Sequence, residues 1–129
     1  MRYLSDEELE VASRFLFLSM ALVVMQQDIH TFEAGFFKIK EPYIELLDRM
    51  TTEATNERSK LRSVMKKQDI KVVTLNQNDT FSSYLFICQG REEQRNYFNP
   101  AIRKKVKIIM EELMHKVRQP SQSSASVYT

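Results

Sequence analysis

Ile70-Lys-Val-Val-Thr-Leu75, followed by Asn76-Gln-Asn-Asp79 and then by Ser82-Ser-Tyr-Leu-Phe-Ile-Cys88, stands at the centre of a 129-residue chain. The two flanking segments are rich in β-branched and aromatic residues, and the polar stretch between them is turn-forming, so they read as an antiparallel hairpin. Alternation places Tyr84, Phe86 and Cys88 on one face and Leu85 and Ile87 on the other. The second strand is therefore expected to be covered on both sides, with Gly90 ending it. Residues 91–98 read as a short helical turn, and Asn99-Pro100 as the cap and first turn of a last helix.

On the N-terminal side the period changes to that of helices. Pro42 suits a first helical turn, where its missing N–H costs nothing. Tyr43, Leu47, Met50, Ala54, Leu61 and Val64 then form one apolar face of a helix ending near Gln68, with Glu57 standing where the stripe would otherwise continue. Further upstream, Ser5-Asp-Glu-Glu8 has the form of a capping box, which starts a helix near Asp6. From Phe15 to Met25 nearly every position is apolar, as in a helix central to its domain or sealed by a partner. Gly35 is expected to end that helix by adopting a left-handed backbone.

On the C-terminal side Ile102, Val106, Ile109, Leu113 and Val117 form the stripe of the last helix, widened by Met110 and Met114 and stopped by Pro120. The expected fold is α+β and predominantly helical: three main helices with a two-stranded antiparallel hairpin between the second and the last helix. Residues 1–118 should form one domain, and residues 119–129 a disordered polar tail.

Composition removes several function classes. Nineteen Lys and Arg against 17 Asp and Glu leave a net charge of +2, unevenly spread: −2 over residues 1–40, balanced over 41–99, and +4 over 100–129. The lone Cys88 excludes an intramolecular disulfide and any four-thiolate zinc site, and it suits a reducing compartment. The N-terminus turns acidic at once and does not read as a secretory signal. The longest uncharged run, residues 15–27, is too short to cross a bilayer, so a cytoplasmic protein without a membrane span is expected.

Catalytic constellations are equally scarce. Two isolated glycines, Gly35 and Gly90, cannot build a phosphate-cradling loop. Cys88 sits in an apolar strand where burial raises a thiol pKa, with only His30 and His115 to activate it, and is expected to be structural. No serine lies on a sharp glycine-flanked turn of the kind a serine hydrolase uses. Glu112-Leu-Met-His115 is half of a di-iron bundle motif without its second half, and Asp28-Ile-His30 near Glu33 is a weaker cluster. For both, a polar helix edge or turn is the simpler reading. No enzyme activity, metal or cofactor is expected.

Two groups of residues remain as candidates for binding. Phe32, Phe36, Phe37 and Tyr43 crowd the linker between the first two helices and could anchor a partner protein, or cap the domain's own core. Arg103, Lys104, Lys105 and Lys107 could grip nucleic-acid phosphates, or form a solvated helix face. The apolar first helix adds a homodimer to the options, since three helices and a hairpin need not cover it. The leading expectation is a non-enzymatic protein acting through protein contacts, with a nucleic-acid-binding regulator as the alternative.

Tyr84-Leu-Phe-Ile-Cys-Gln-Gly90, followed by Arg91-Glu-Glu93 and Tyr97-Phe98, together with Phe37-Lys-Ile-Lys-Glu-Pro-Tyr43, resembles small cytosolic proteins of unknown function from Bacillus-type bacteria and their phages. The resemblance extends over most of the chain up to Val117. It implies a bacterial or phage origin and carries no catalytic or binding residues across.

Overall fold

The first helix begins where two backbone N–H groups find side-chain acceptors. In this computed structural model, which describes residues 3–118, Ser5 Oγ accepts from the Glu8 N–H at 3.2 Å and Glu8 Oε1 accepts from the Ser5 N–H at 2.8 Å. That reciprocal pair is the expected capping box, and helix α1 runs from it as Asp6–Ala34. It ends at Gly35, although not by left-handed geometry: Gly35 has φ −78° and ψ 167°, an extended conformation open to any residue. Its lack of a side chain serves close approach instead, because a Cβ there would lie 2.6 Å from the Phe37 ring and 3.0 Å from the Thr31 carbonyl oxygen.

Helix α2 follows as Glu41–Gln68, with Pro42 in its first turn. Asp69 closes it in the left-handed region, φ 54°, and its N–H donates to the Lys66 and Met65 carbonyls. A single residue thus separates helix from sheet. Strand β1 is Ile70–Gln77, and β2 is Phe81–Cys88. Asn78 builds the turn between them, its Oδ1 accepting from the Thr80 and Phe81 N–H groups at 2.8 and 2.7 Å.

Residues Arg91–Phe98 are not a helical turn but a third strand, β3, and the sheet has three antiparallel strands in the order β1-β2-β3 rather than two. Gln89 and Gly90 both have positive φ, 51° and 81°, and Cys88 faces Arg91 across them. Two such residues match the right-handed twist of the flanking strands, so the chain reverses immediately instead of leaving the sheet. The composition Arg-Glu-Glu-Gln-Arg-Asn hid the strand. As an edge strand it tolerates charge, and its inward-facing charges are paired: Arg91 with Glu8 at 2.7 Å and Arg95 with Glu93 at 2.6 Å.

The sheet packs on one side only. Ser82, Tyr84, Phe86 and Cys88 turn inward and are buried, against Ala12 of α1 and Met65 of α2. The other face carries Val73, Phe81 and Phe98 exposed and Leu85 and Ile87 half-buried, so β2 is not covered on both sides as its apolar run implied. With a neighbour on each edge, β2 needs no second layer to satisfy its backbone.

Helix α3, Asn99–Arg118, starts without a linker after β3. Asn99 ties the helix to the sheet: its Nδ2 donates to the Asn78 carbonyl and its Oδ1 accepts from Ser82 Oγ, both at 2.8 Å. Val106, Ile109 and Leu113 pack against Leu18, Ala21, Leu22 and Met25 of α1 and Leu47, Met50 and Ala54 of α2, forming the helical core. Pro120 and the tail 119–129 lie outside the described residues.

Candidate functional site

The connection between α1 and α2 gathers three of the four linker aromatics. Phe32, in the last turn of α1, is half-buried against the core, and its ring lies 5.0 Å from Phe37 and 5.4 Å from Tyr43, stacked on the latter. Lys40 Nζ donates to the Glu33 carbonyl at 2.6 Å, occupying one of the carbonyls left open where α1 ends. The fourth ring does not join them. Phe36 is fully exposed, and Ile39, three residues on, is 68% exposed. The tip therefore has a ring cluster built on half-buried Phe32, in which Phe37 and Tyr43 stay about half exposed, and two large apolar side chains, Phe36 and Ile39, that are more exposed still.

The basic quartet of α3 does not form one surface. All four side chains are exposed, but about 100° per residue sends them in different directions. Arg103 and Lys107, one turn apart, border a groove of about 1040 Å³ between α1, α3 and the end of the sheet. Lys105 faces the opposite side, where its ammonium lies 5.7 Å from the Phe17 ring centroid and it lines a smaller cleft of about 630 Å³ with Arg95 and Tyr97. Lys104 lines neither.

The larger groove has an apolar floor from Met20 and Val24 of α1 and Ile102, Val106, Met110 and Met114 of α3. Sequence reasoning counted these as core positions. The spacing of each stripe is visible in the chain, whereas the gap between the two stripes depends on how α3 crosses α1.

Cys88 and Glu112, both singled out for chemistry, are engaged structurally. Cys88 is fully buried, its thiol 3.3 Å from Glu8 Oε2, and burial, reinforced by that carboxylate, pushes its pKa up. A thiol held protonated in this way is a poor nucleophile. Glu8 itself is held down at about 2, chiefly by Arg91 and then by the Ser5 N–H. Glu112 bonds Arg14 at 2.9 Å instead of acting with His115, and Arg14 also holds Glu57, the polar residue that interrupts the α2 stripe. The Arg14 pKa is raised by these partners, Glu57 first. Among the described residues no three His, Cys, Asp or Glu side chains come together as a metal site.

Three helices packed on one face of an antiparallel three-stranded sheet, with an aromatic tip at one turn and an apolar groove beside α3, define a small, mainly helical α+β protein. Residues 3–118 match the YhjD protein family, and the chain belongs to it. It is 31% identical over 106 residues to the uncharacterized protein YhjD of Bacillus subtilis (strain 168), a match covering 82% of this chain and 88% of that one. No solved structure matches. The family accords with the resemblance to small proteins of Bacillus-type bacteria. Among the described residues no helix is long and apolar enough to cross a membrane.

Proposed function

We propose that this protein is a non-enzymatic cytoplasmic binding protein of a Bacillus-type bacterium that engages a partner protein through the α1–α2 tip. The observation that carries this reading is the full exposure of Phe36, with Ile39 three residues on also exposed, on a loop held by the contacts of the Phe37 and Tyr43 rings with Phe32. Large apolar side chains presented on a rigid support lose little entropy on docking and are the usual energetic centres of protein interfaces. A nucleic-acid role ranks second, since a phosphate track needs contiguous cations and Arg103, Lys104, Lys105 and Lys107 diverge around α3.

A photo-crosslinking residue at Lys38, on the exposed tip, should trap one protein of defined mass in the bacterial host, and F36D should abolish the conjugate. The same probe at Lys60, on the exposed face of α2, should trap nothing discrete. Equal products at both positions, or a Lys38 conjugate untouched by F36D, would overturn the proposal.

A further inference from the structure

We propose that the outer face of the sheet is covered by the same face of a second copy of this chain, the two sheets stacked about a twofold axis parallel to β2. The surface is separate from the aromatic tip, and the inference stands independently of that reading.

Strand β2 is apolar on both faces, but helices pack on one of them. Phe86 and Cys88 are fully buried against α1 and α2, whereas Leu85 and Ile87 on the other face are half-buried. Their neighbours extend the apolar surface: Val73 of β1 is exposed, as are the Phe81 and Phe98 rings, which lie 5.7 Å apart. A central strand with large apolar side chains on both faces has the character of a sheet held between two layers, of which this chain supplies one.

The strand register indicates what supplies the other. Cross-strand partners share a face, so Lys71, Ile87 and Glu92 form one row, Val73, Leu85 and Gln94 the next, and Phe81 and Phe98 lie at the far end. Alternation along the three strands leaves Lys71 and Glu92 as the charges of this face, in one row at opposite edges of the sheet. Both are exposed, and neither is in an ion pair among the described residues. The polar side chains between the rows are tied to one another, Asn96 Oδ1 accepting from Ser83 Oγ at 2.6 Å and from Gln94 Nε2 at 3.2 Å, which lowers the cost of covering them.

A nucleic acid or an anionic lipid surface would meet one cation beside a carboxylate, whereas a second copy answers both charges. Turned about an axis parallel to β2, the second copy sets its β1 over β3 of the first and its β3 over β1. Lys71 of each copy then faces Glu92 of the other across the roughly 10 Å between stacked sheets, a span two long side chains can bridge. Leu85 and Ile87 meet their own counterparts near the axis. An axis across the strands would instead set Glu92 near Phe98 and leave both charges unanswered.

Light scattering and sedimentation of the full chain test this with charge reversal. The wild type should be a dimer. K71E makes both charges of the face acidic and E92K makes both basic, so each variant alone should dimerise about tenfold more weakly. Both side chains are exposed, and circular dichroism should show both variants folded. Mixed one to one, the variants should form a heterodimer, because each like-charge contact becomes an opposite-charge one. Independently, zero-length carbodiimide coupling of mixed light and heavy-nitrogen wild-type protein should join Lys71 of one copy to Glu92 of the other. A monomeric wild type, variants as dimeric as the wild type, a mixture no more dimeric than either variant, or no intermolecular coupling of Lys71 to Glu92 would each overturn the proposal.

Discussion

Arg14 and Glu57, 43 positions apart in sequence, meet through two parallel hydrogen bonds, Nε to Oε2 at 2.6 Å and Nη2 to Oε1 at 3.1 Å. The remaining Arg14 nitrogen, Nη1, donates to Glu112 at 2.9 Å, so one guanidinium ties α1 to both α2 and α3. The planar fork suits this use, since its donors are fixed in direction and stay charged. The two carboxylates are not equivalent: the Glu57 side chain is 28% exposed and the Glu112 side chain 53%. Glu57→Gln should lower stability by about 1–2 kcal/mol, and Glu112→Gln by less than about 0.5 kcal/mol, in urea denaturation. Equal losses would mean that the paired geometry contributes nothing beyond proximity.

Acid stability should depend on Glu8. Its carboxyl lies near 2 in the folded chain against an ordinary value of 4.5, because it holds Arg91 and, secondarily, caps α1. The unfolded state therefore takes up this proton first as pH falls. The stabilisation is present in full above about pH 4.5 and is lost as pH drops toward 2. Urea midpoints recorded across this interval should fall more steeply for the wild type than for Glu8→Gln, which cannot titrate there. Parallel profiles would show that other carboxylates govern acid unfolding.

The Gln89-Gly90 turn isolates a backbone effect. A Cβ at Gly90 would meet no atom within 4 Å, so φ of +81° is the whole obstacle to substitution. Gly90→Ala should cost about 1 kcal/mol for that reason, and Gln89→Asn, which tolerates positive φ better, should stabilise by a few tenths of a kcal/mol. Thermal denaturation of the two variants should shift in opposite directions.

Gly35 presents the opposite case, an ordinary backbone with no room. Alanine there meets the Phe37 ring at 2.6 Å and must displace it from Phe32. Gly35→Ala should destabilise by about 1 kcal/mol and alter the near-ultraviolet circular dichroism of the stacked rings. An unchanged spectrum would show that the ring moves aside without cost.

The helical part of this fold is readable because its signals are local. The Ser5/Glu8 box, Pro42 and the stripe from Val106 to Leu113 each act within a few residues. Strand β3 escaped because its stability is non-local: eight residues of poor strand propensity are held by pairing with β2 and by the ion pair from Arg91 to Glu8 of α1. The two-residue Gln-Gly loop and the alternation of Arg91, Glu93, Arg95 and Tyr97 were its traces in the sequence. The aromatic tip was legible as a group of four, but its division into three supporting rings and a projecting Phe36 follows from packing beneath Phe32. The groove was not legible at all, since it is a property of two helices in combination.

Six residues connect α1 to α2, but one connects α2 to β1, two connect β2 to β3 and none connects β3 to α3. This spacing makes the molecule unevenly tolerant of changes in chain length. One residue inserted between Phe98 and Asn99 would turn α3 by about 100° and carry Val106, Ile109 and Leu113 out of register with the core. An insertion between Lys38 and Ile39, past the Phe37 ring that packs on Phe32, would only lengthen an exposed loop. Length variation in this family should therefore gather at the tip, leaving the path from Gln68 to Asn99 as fixed in residue count as it is in shape.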